Sequence, residues 1–127
     1  MRTNLWVALT LLVVVIAFGV WSTATMNGLS NRYISASEEL LVLTQDGQWQ
    51  RADEVISAYQ DSWSRANGWL QMLVVHDELD SVNLALRRIR AGIWARDKSL
   101  CYEGCAELRE HAEHLYHRDA FTLGNLL

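Results

Sequence analysis

The sequence predicts an all-α protein: one N-terminal transmembrane helix followed by an antiparallel helical bundle of three to four helices. Three observations predict it. An uncharged apolar run opens the chain, apolar residues beyond it recur at spacings of three and four, and the 127 residues include no proline. A repeat of that period marks the buried stripe of a helix, and without proline nothing covalent interrupts long helices.

Leu5 to Trp21 is a stretch of 17 residues in which only Thr10 and Gly19 are not strongly apolar. As a helix it covers about 25 Å, and extension through Ser22 to Met26 brings it to a bilayer thickness of about 30 Å. Trp6 and Trp21 stand near its ends, where amphipathic indoles favour the headgroup region. The expected organisation is a short cytoplasmic N-terminus at 1–4, a transmembrane signal anchor at 5–26 in contact with the lipid bilayer, and an extracytoplasmic bundle at 27–127. Arg2 is the only basic residue before the run, so the positive-inside rule places the N-terminus in the cytoplasm and the C-terminal domain outside, as a single-pass cell-membrane protein. A cleaved secretory signal is the rival reading. Arg2 would be its basic region and Ser22-Thr23-Ala24 its cleavage site. Against it, the apolar run is long and Trp21 is awkward beside a cleavage site. On either reading the rest of the chain leaves the cytoplasm.

Beyond the run, Met26, Leu29, Tyr33, Ala36, Leu40 and Leu43 follow a 3-4 spacing. A first helix can therefore continue straight from the span. Alternatively Asn27 and Gly28 break it, and Ser35 with Glu38 forms a capping box for a fresh start. Gly47 is a helix stop. Trp49, Ala52, Ile56, Tyr59, Trp63, Ala66, Leu70 and Leu73 form the clearest seam, predicting a helix to about His76. Asp77 then caps a third helix, with Asp80 in its first turn and a seam of Leu79, Val82, Leu86, Ile89 and Ile93. Asp97 or Ser99 starts a fourth, with Cys101, Cys105, Leu108, Ala112 and Leu115 on one face. Short connections make neighbours antiparallel. The apolar end, Phe121 to Leu127, is expected to fold back onto the bundle.

Composition removes several classes of function. A formal net charge of -4 argues against nucleic acid as a partner. Two cysteines are too few for a disulfide framework. There is no Gly-rich phosphate loop, nucleophile elbow or recognisable pair of catalytic carboxylates. No catalytic residue, cofactor or metal site is expected.

The remaining candidates are polar clusters and exposed aromatic residues. His76, Glu78 and Asp80, with Asp77, form the densest polar group, able to contact a metal or shuttle protons. The plainer account is a helix junction whose acids cap the third helix. His111, His114 and His117 recur every third residue, but neither His-Glu-x-x-His nor Glu-x-x-His is present, so a polar face sensitive near neutral pH is the expectation. Cys101 and Cys105, one turn apart, are a possible redox pair, or two buried thiols. Arg87, Arg88, Arg90, Arg96 and Lys98 make a basic stretch that can meet anionic headgroups or an acidic partner, or pair with nearby Glu residues. Trp69 and Trp94, with Arg87 and Arg90, are the candidate interface.

The order of landmarks resembles a bacterial family known as domain of unknown function 4363. The residues that carry the likeness are Gly47-Gln48-Trp49-Gln50-Arg51-Ala52, Trp63, Leu73 to Asp80, the Leu115 region, and Thr122-Leu123-Gly124-Asn125-Leu126. Thr122 and Asn125 are the matched polar positions at the C-terminus. The chain departs from a typical lysine-rich, aliphatic surface by using arginine and more tryptophan. The resemblance implies small membrane-anchored helical proteins of Gram-positive bacteria, and it implies no activity. The expectation is a non-enzymatic accessory or scaffold protein that works with another membrane or envelope protein. The alternative is an extracytoplasmic ligand or pH sensor acting through a partner.

Overall fold

The computed structural model describes the backbone of residues 1–72 and 76–126, and the side chains of 1–72 and 77–115. Four helices follow one another: α1 (Arg2–Gln45), α2 (Trp49–Leu70), α3 (His76–Ala95) and α4 (Lys98–Leu126). Among the described residues there is no strand. Each helix packs against its chain neighbours and α4 closes the ring onto α1, with α1–α4 and α3–α4 the most extensive pairs. This is an up-down-up-down bundle.

α1 is a single helix of 44 residues. Asn27 and Gly28 do not break it, and no new start occurs at Ser35. A helical glycine costs about 1 kcal/mol relative to alanine, and here its neighbours hold the helix. Met26, Tyr33, Ala36 and Leu40 are fully buried on either side of it. The N-terminal part of α1 is bare: from Leu5 to Phe18 every side chain is exposed, with Leu12 at 56% and Val14 at 57%. The helix is long and apolar enough to cross a membrane. Burial begins at Gly19 and Ser22 and continues through Met26, Ser30, Tyr33, Ser37, Leu40 and Thr44, so the bundle's covered face starts inside the apolar run.

The core follows the apolar seams. Ala52, Ile56, Trp63 and Leu70 of α2 are buried, as are Leu79, Val82, Ala85, Leu86, Ile89 and Ile93 of α3 and Cys101, Cys105, Leu108, Ala112 and Leu115 of α4. Leu29, Trp49, Tyr59 and Ala66 pack against this core while half-buried. Tyr33 joins α1 to α2 edge-on against Trp63, ring centroids 5.2 Å apart, a geometry that matches the positive ring edge to the negative face. Ser30 donates a 2.6 Å hydrogen bond to the Ala112 carbonyl, pinning α1 to α4. α3 and α4 approach closely through two glycines. A Cβ on Gly92 would lie 2.9 Å from the Cys101 backbone nitrogen, and one on Gly104 would lie 3.0 Å from that of Ile89.

Two turns at the same end of the bundle close in the same way. Gln48 N–H donates to Leu43 O and Gly47 N–H to Thr44 O; Asp97 N–H donates to Gly92 O and Arg96 N–H to Ile93 O. Both are Schellman motifs, which need a left-handed residue. Gly47 supplies it at φ 75°, and Arg96 does so at φ 52°, where a side chain is disfavoured. Asp97 then caps α4, its Oδ1 accepting from Leu100 N–H at 3.1 Å, which decides between Asp97 and Ser99.

One boundary differs from the sequence reading. α2 stops at Leu70, and His76 opens α3 rather than closing α2. The seam at Leu73 kept the period going in sequence beyond the point where the helix ends; Leu73 itself lies outside the described residues. α4 runs as one helix to Leu126, and the expected packing of the Phe121–Leu127 side chains lies outside the described residues.

Candidate functional site

The outer face of α3 is set by its inner one. Leu86, Ile89 and Ile93 point into the core, which leaves Arg87, Arg90, Ala91, Trp94 and Ala95 facing out beside α2. With Gln60 of α2 they line an open groove of about 600 Å³. Ala91 and Ala95 are small, so the indole of Trp94 stands clear of its neighbours and is 80% exposed. Arg90 Nη1 donates to Gln60 Oε1 at 2.6 Å across the groove. That bond orients the guanidinium while the arginine stem adds apolar surface. The groove therefore combines an exposed aromatic face with one guanidinium held in place by Gln60.

The structure brings Arg87, Arg90 and Trp94 together and leaves Trp69 apart. Gln60 lies beside Arg90 and the helices are antiparallel, so Trp69 sits about 20 Å along the bundle from Trp94. Trp69 is 39% exposed and makes a separate surface. Gln60, Ala91 and Ala95 were not candidates from sequence. The available signal was the pair of alanines four apart flanking an arginine–tryptophan face. Of the rest of the basic stretch, Arg88 bonds Glu107; on α4, outside the stretch, Arg109 reaches Glu38 at 3.3 Å and Glu113 at 3.4 Å. These pairs are half-exposed, where such contacts contribute about 0–1 kcal/mol.

Of the polar cluster at the start of α3, the structure describes the side chains of Asp77, Glu78 and Asp80. Glu78 is half-buried and Asp77 and Asp80 are exposed; residues two apart on a helix point to opposite sides. The His76 side chain lies outside the described residues, as do those of His117, Thr122 and Asn125. Glu78 instead meets α4. One donor atom from each of Glu78, His111 and His114 lies within 4.8 Å of the other two, and the two imidazoles are 6.4 Å apart between centroids. The sequence carried a signal for this: Glu78 and His114 are equidistant from Arg96, and an antiparallel hairpin closed there pairs equidistant residues.

Cys101 and Cys105 are free, buried thiols. Burial pushes the Cys105 thiol up to about 12, with Cys101 adding to the rise. Cys101 is also raised, chiefly by burial and then by the Asp97 carboxylate, against a hydrogen bond from Thr44. The thiolate is the reactive form, so burial disfavours that form at both positions.

These features define a helical bundle carried on a helix long and apolar enough to cross a membrane. The chain belongs to the family described as a domain of unknown function (DUF4363), which it matches over residues 20–126. No curated protein matches it, and no solved structure does.

Proposed function

We propose that this protein is a non-enzymatic accessory or scaffold subunit. Residues 5–26 hold it in the bilayer, with the bundle on the extracytoplasmic face, where it docks another membrane or envelope protein. The observation that carries this reading is the α2–α3 groove with Trp94 projecting beside it. Tryptophan and arginine are the residue types over-represented in binding hot spots, and interfaces are built on such aromatic anchors rather than on bulk apolarity. The orientation rests on Arg2, the one basic residue before the apolar run. Two short turns and tight helix contacts favour a presenting surface over a reaction chamber.

A photo-crosslinking amino acid placed at Trp94 in intact cells tests the reading. The expected outcome is one discrete adduct with a membrane or envelope protein, weakened by Arg87→Ala and Arg90→Ala. The same probe at Trp69 marks a distinct face and is expected to give a different adduct pattern. Recovery of the uncrosslinked chain alone from Trp94, under conditions where a probe elsewhere on the bundle reacts, would refute the groove as a docking surface.

A further inference from the structure

We propose that Glu78, His111 and His114 form a binding site for one divalent cation of the zinc class, bridging the start of α3 to α4. Three donors from two helices converge here, with one donor atom from each within 4.8 Å of the other two. Around a tetrahedral ion with bonds of about 2.0–2.1 Å, donors stand about 3.4 Å apart. The donors therefore need to close by up to about 1.4 Å to share an ion, within the range of side-chain torsion. The backbones that carry them are already fixed. Leu79 beside Glu78 is 3% exposed and Ala112 beside His111 is fully buried, and the Ala112 carbonyl accepts the Ser30 hydroxyl at 2.6 Å. Only the side chains have to move.

The donor set selects the cation. Two imidazoles and one carboxylate suit zinc and its neighbours in the transition series. Magnesium and calcium want several oxygen ligands, and a single carboxylate offers too few. Glu78 and His111 are half-buried and His114 is exposed, so an ion has an open approach. Asp77 and Asp80 flank Glu78, and Glu110 precedes His111 in the chain, adding negative potential for a cation; of the nearby cations, Arg109 is already engaged by Glu38 and Glu113. The site lies at the opposite end of α3 from the groove at Trp94, so its test does not depend on a partner.

The test uses the full chain in detergent micelles, stripped with a chelator and titrated with zinc chloride by calorimetry. One equivalent is expected to bind and to resist displacement by excess magnesium. Glu78→Gln, His111→Gln and His114→Gln are each expected to weaken binding by more than about tenfold, the loss that even changes behind a ligand produce. Far-UV circular dichroism without metal establishes that each variant folds. Cobalt adds a second readout: its visible bands report nitrogen and oxygen ligation, whereas an intense thiolate charge-transfer band would place the metal on the cysteines and overturn the proposal. Failure of the wild-type chain to bind zinc would overturn it too, as would undiminished binding by the triple variant.

Discussion

The two halves of α1 are one unbroken helix facing two different surroundings. Residues 22–45 carry a stripe of Ser22, Met26, Ser30, Tyr33, Ser37, Leu40 and Thr44, buried at spacings of three and four. Residues 5–18 are more apolar, yet none is buried. Hydrophobicity in the first half is a property of the whole circumference, and in the second half of one stripe. An apolar stripe is satisfied by other helices, whereas a helix apolar all round requires an apolar solvent. The lesson is that α1 changes from apolar all round to apolar on one stripe without changing conformation.

Paired substitutions can break that comparison. The largest effect is expected in the core. Leu86→Ala, at a fully buried position, should destabilise the bundle by about 2–5 kcal/mol. Leu12→Ala, at 56% exposure, should change it by less than about 0.5 kcal/mol. Denaturant unfolding of the detergent-solubilised chain measures both. Equal losses would mean that the bare half packs against the bundle after all.

Arginine at two equally exposed positions separates water from lipid. Val14 is 57% exposed and Val42 is 60% exposed, so packing does not distinguish them. Val14→Arg is expected to cost about 2.5–3.5 kcal/mol in apparent membrane insertion, read as loss from the membrane fraction. Val42→Arg should leave that fraction unchanged. If both variants remain fully membrane-bound, the anchor reading of residues 5–26 fails.

Alkaline pH tests the buried half alone. The fold holds the Cys105 thiol at about 12 against an ordinary 9.0, with Cys101 and Tyr33 raised in the same direction by burial. A group whose folded value is raised stabilises the fold fully below its unfolded value and loses that contribution as pH climbs to the folded one. Bundle stability should therefore fall as pH rises from about 9 towards 12, and Cys105→Ala should flatten the decline. Thermal unfolding across that range checks it. Leu5 to Trp21 contains no titratable group, so membrane retention should survive the same alkaline wash.

The seams were legible because large apolar residues repeat. Leu79, Val82, Leu86, Ile89 and Ile93 are all buried where their spacing placed them. What escaped was packing by small or polar residues. Ser30, Ser37 and Thr44 are buried but carry no hydropathic signal; Ser37 and Thr44 satisfy their hydroxyls on carbonyls three residues back. Gly92 and Gly104 matter through the backbone approach they permit, which a single sequence does not display. Grouping His76, Glu78 and Asp80 by adjacency missed that Glu78 meets α4, because that contact arises from how two helices are registered. Trp94 could be flagged as a candidate, but its exposure depended on the small size of Ala91 and Ala95 beside it.

The missing break at Asn27 and Gly28 also makes α1 a lever. Its 44 residues give a rod of about 66 Å, and the portion from Ser22 to Gln45 extends about 36 Å along the bundle. For the anchored protein proposed above, a tilt of about 10° in residues 5–21, within the range that bilayer thickness imposes on helices, would swing the far turns at Gly47 and Arg96 by about 6 Å. With no hinge to absorb the motion, a change in the bilayer would be felt at the opposite end of the protein.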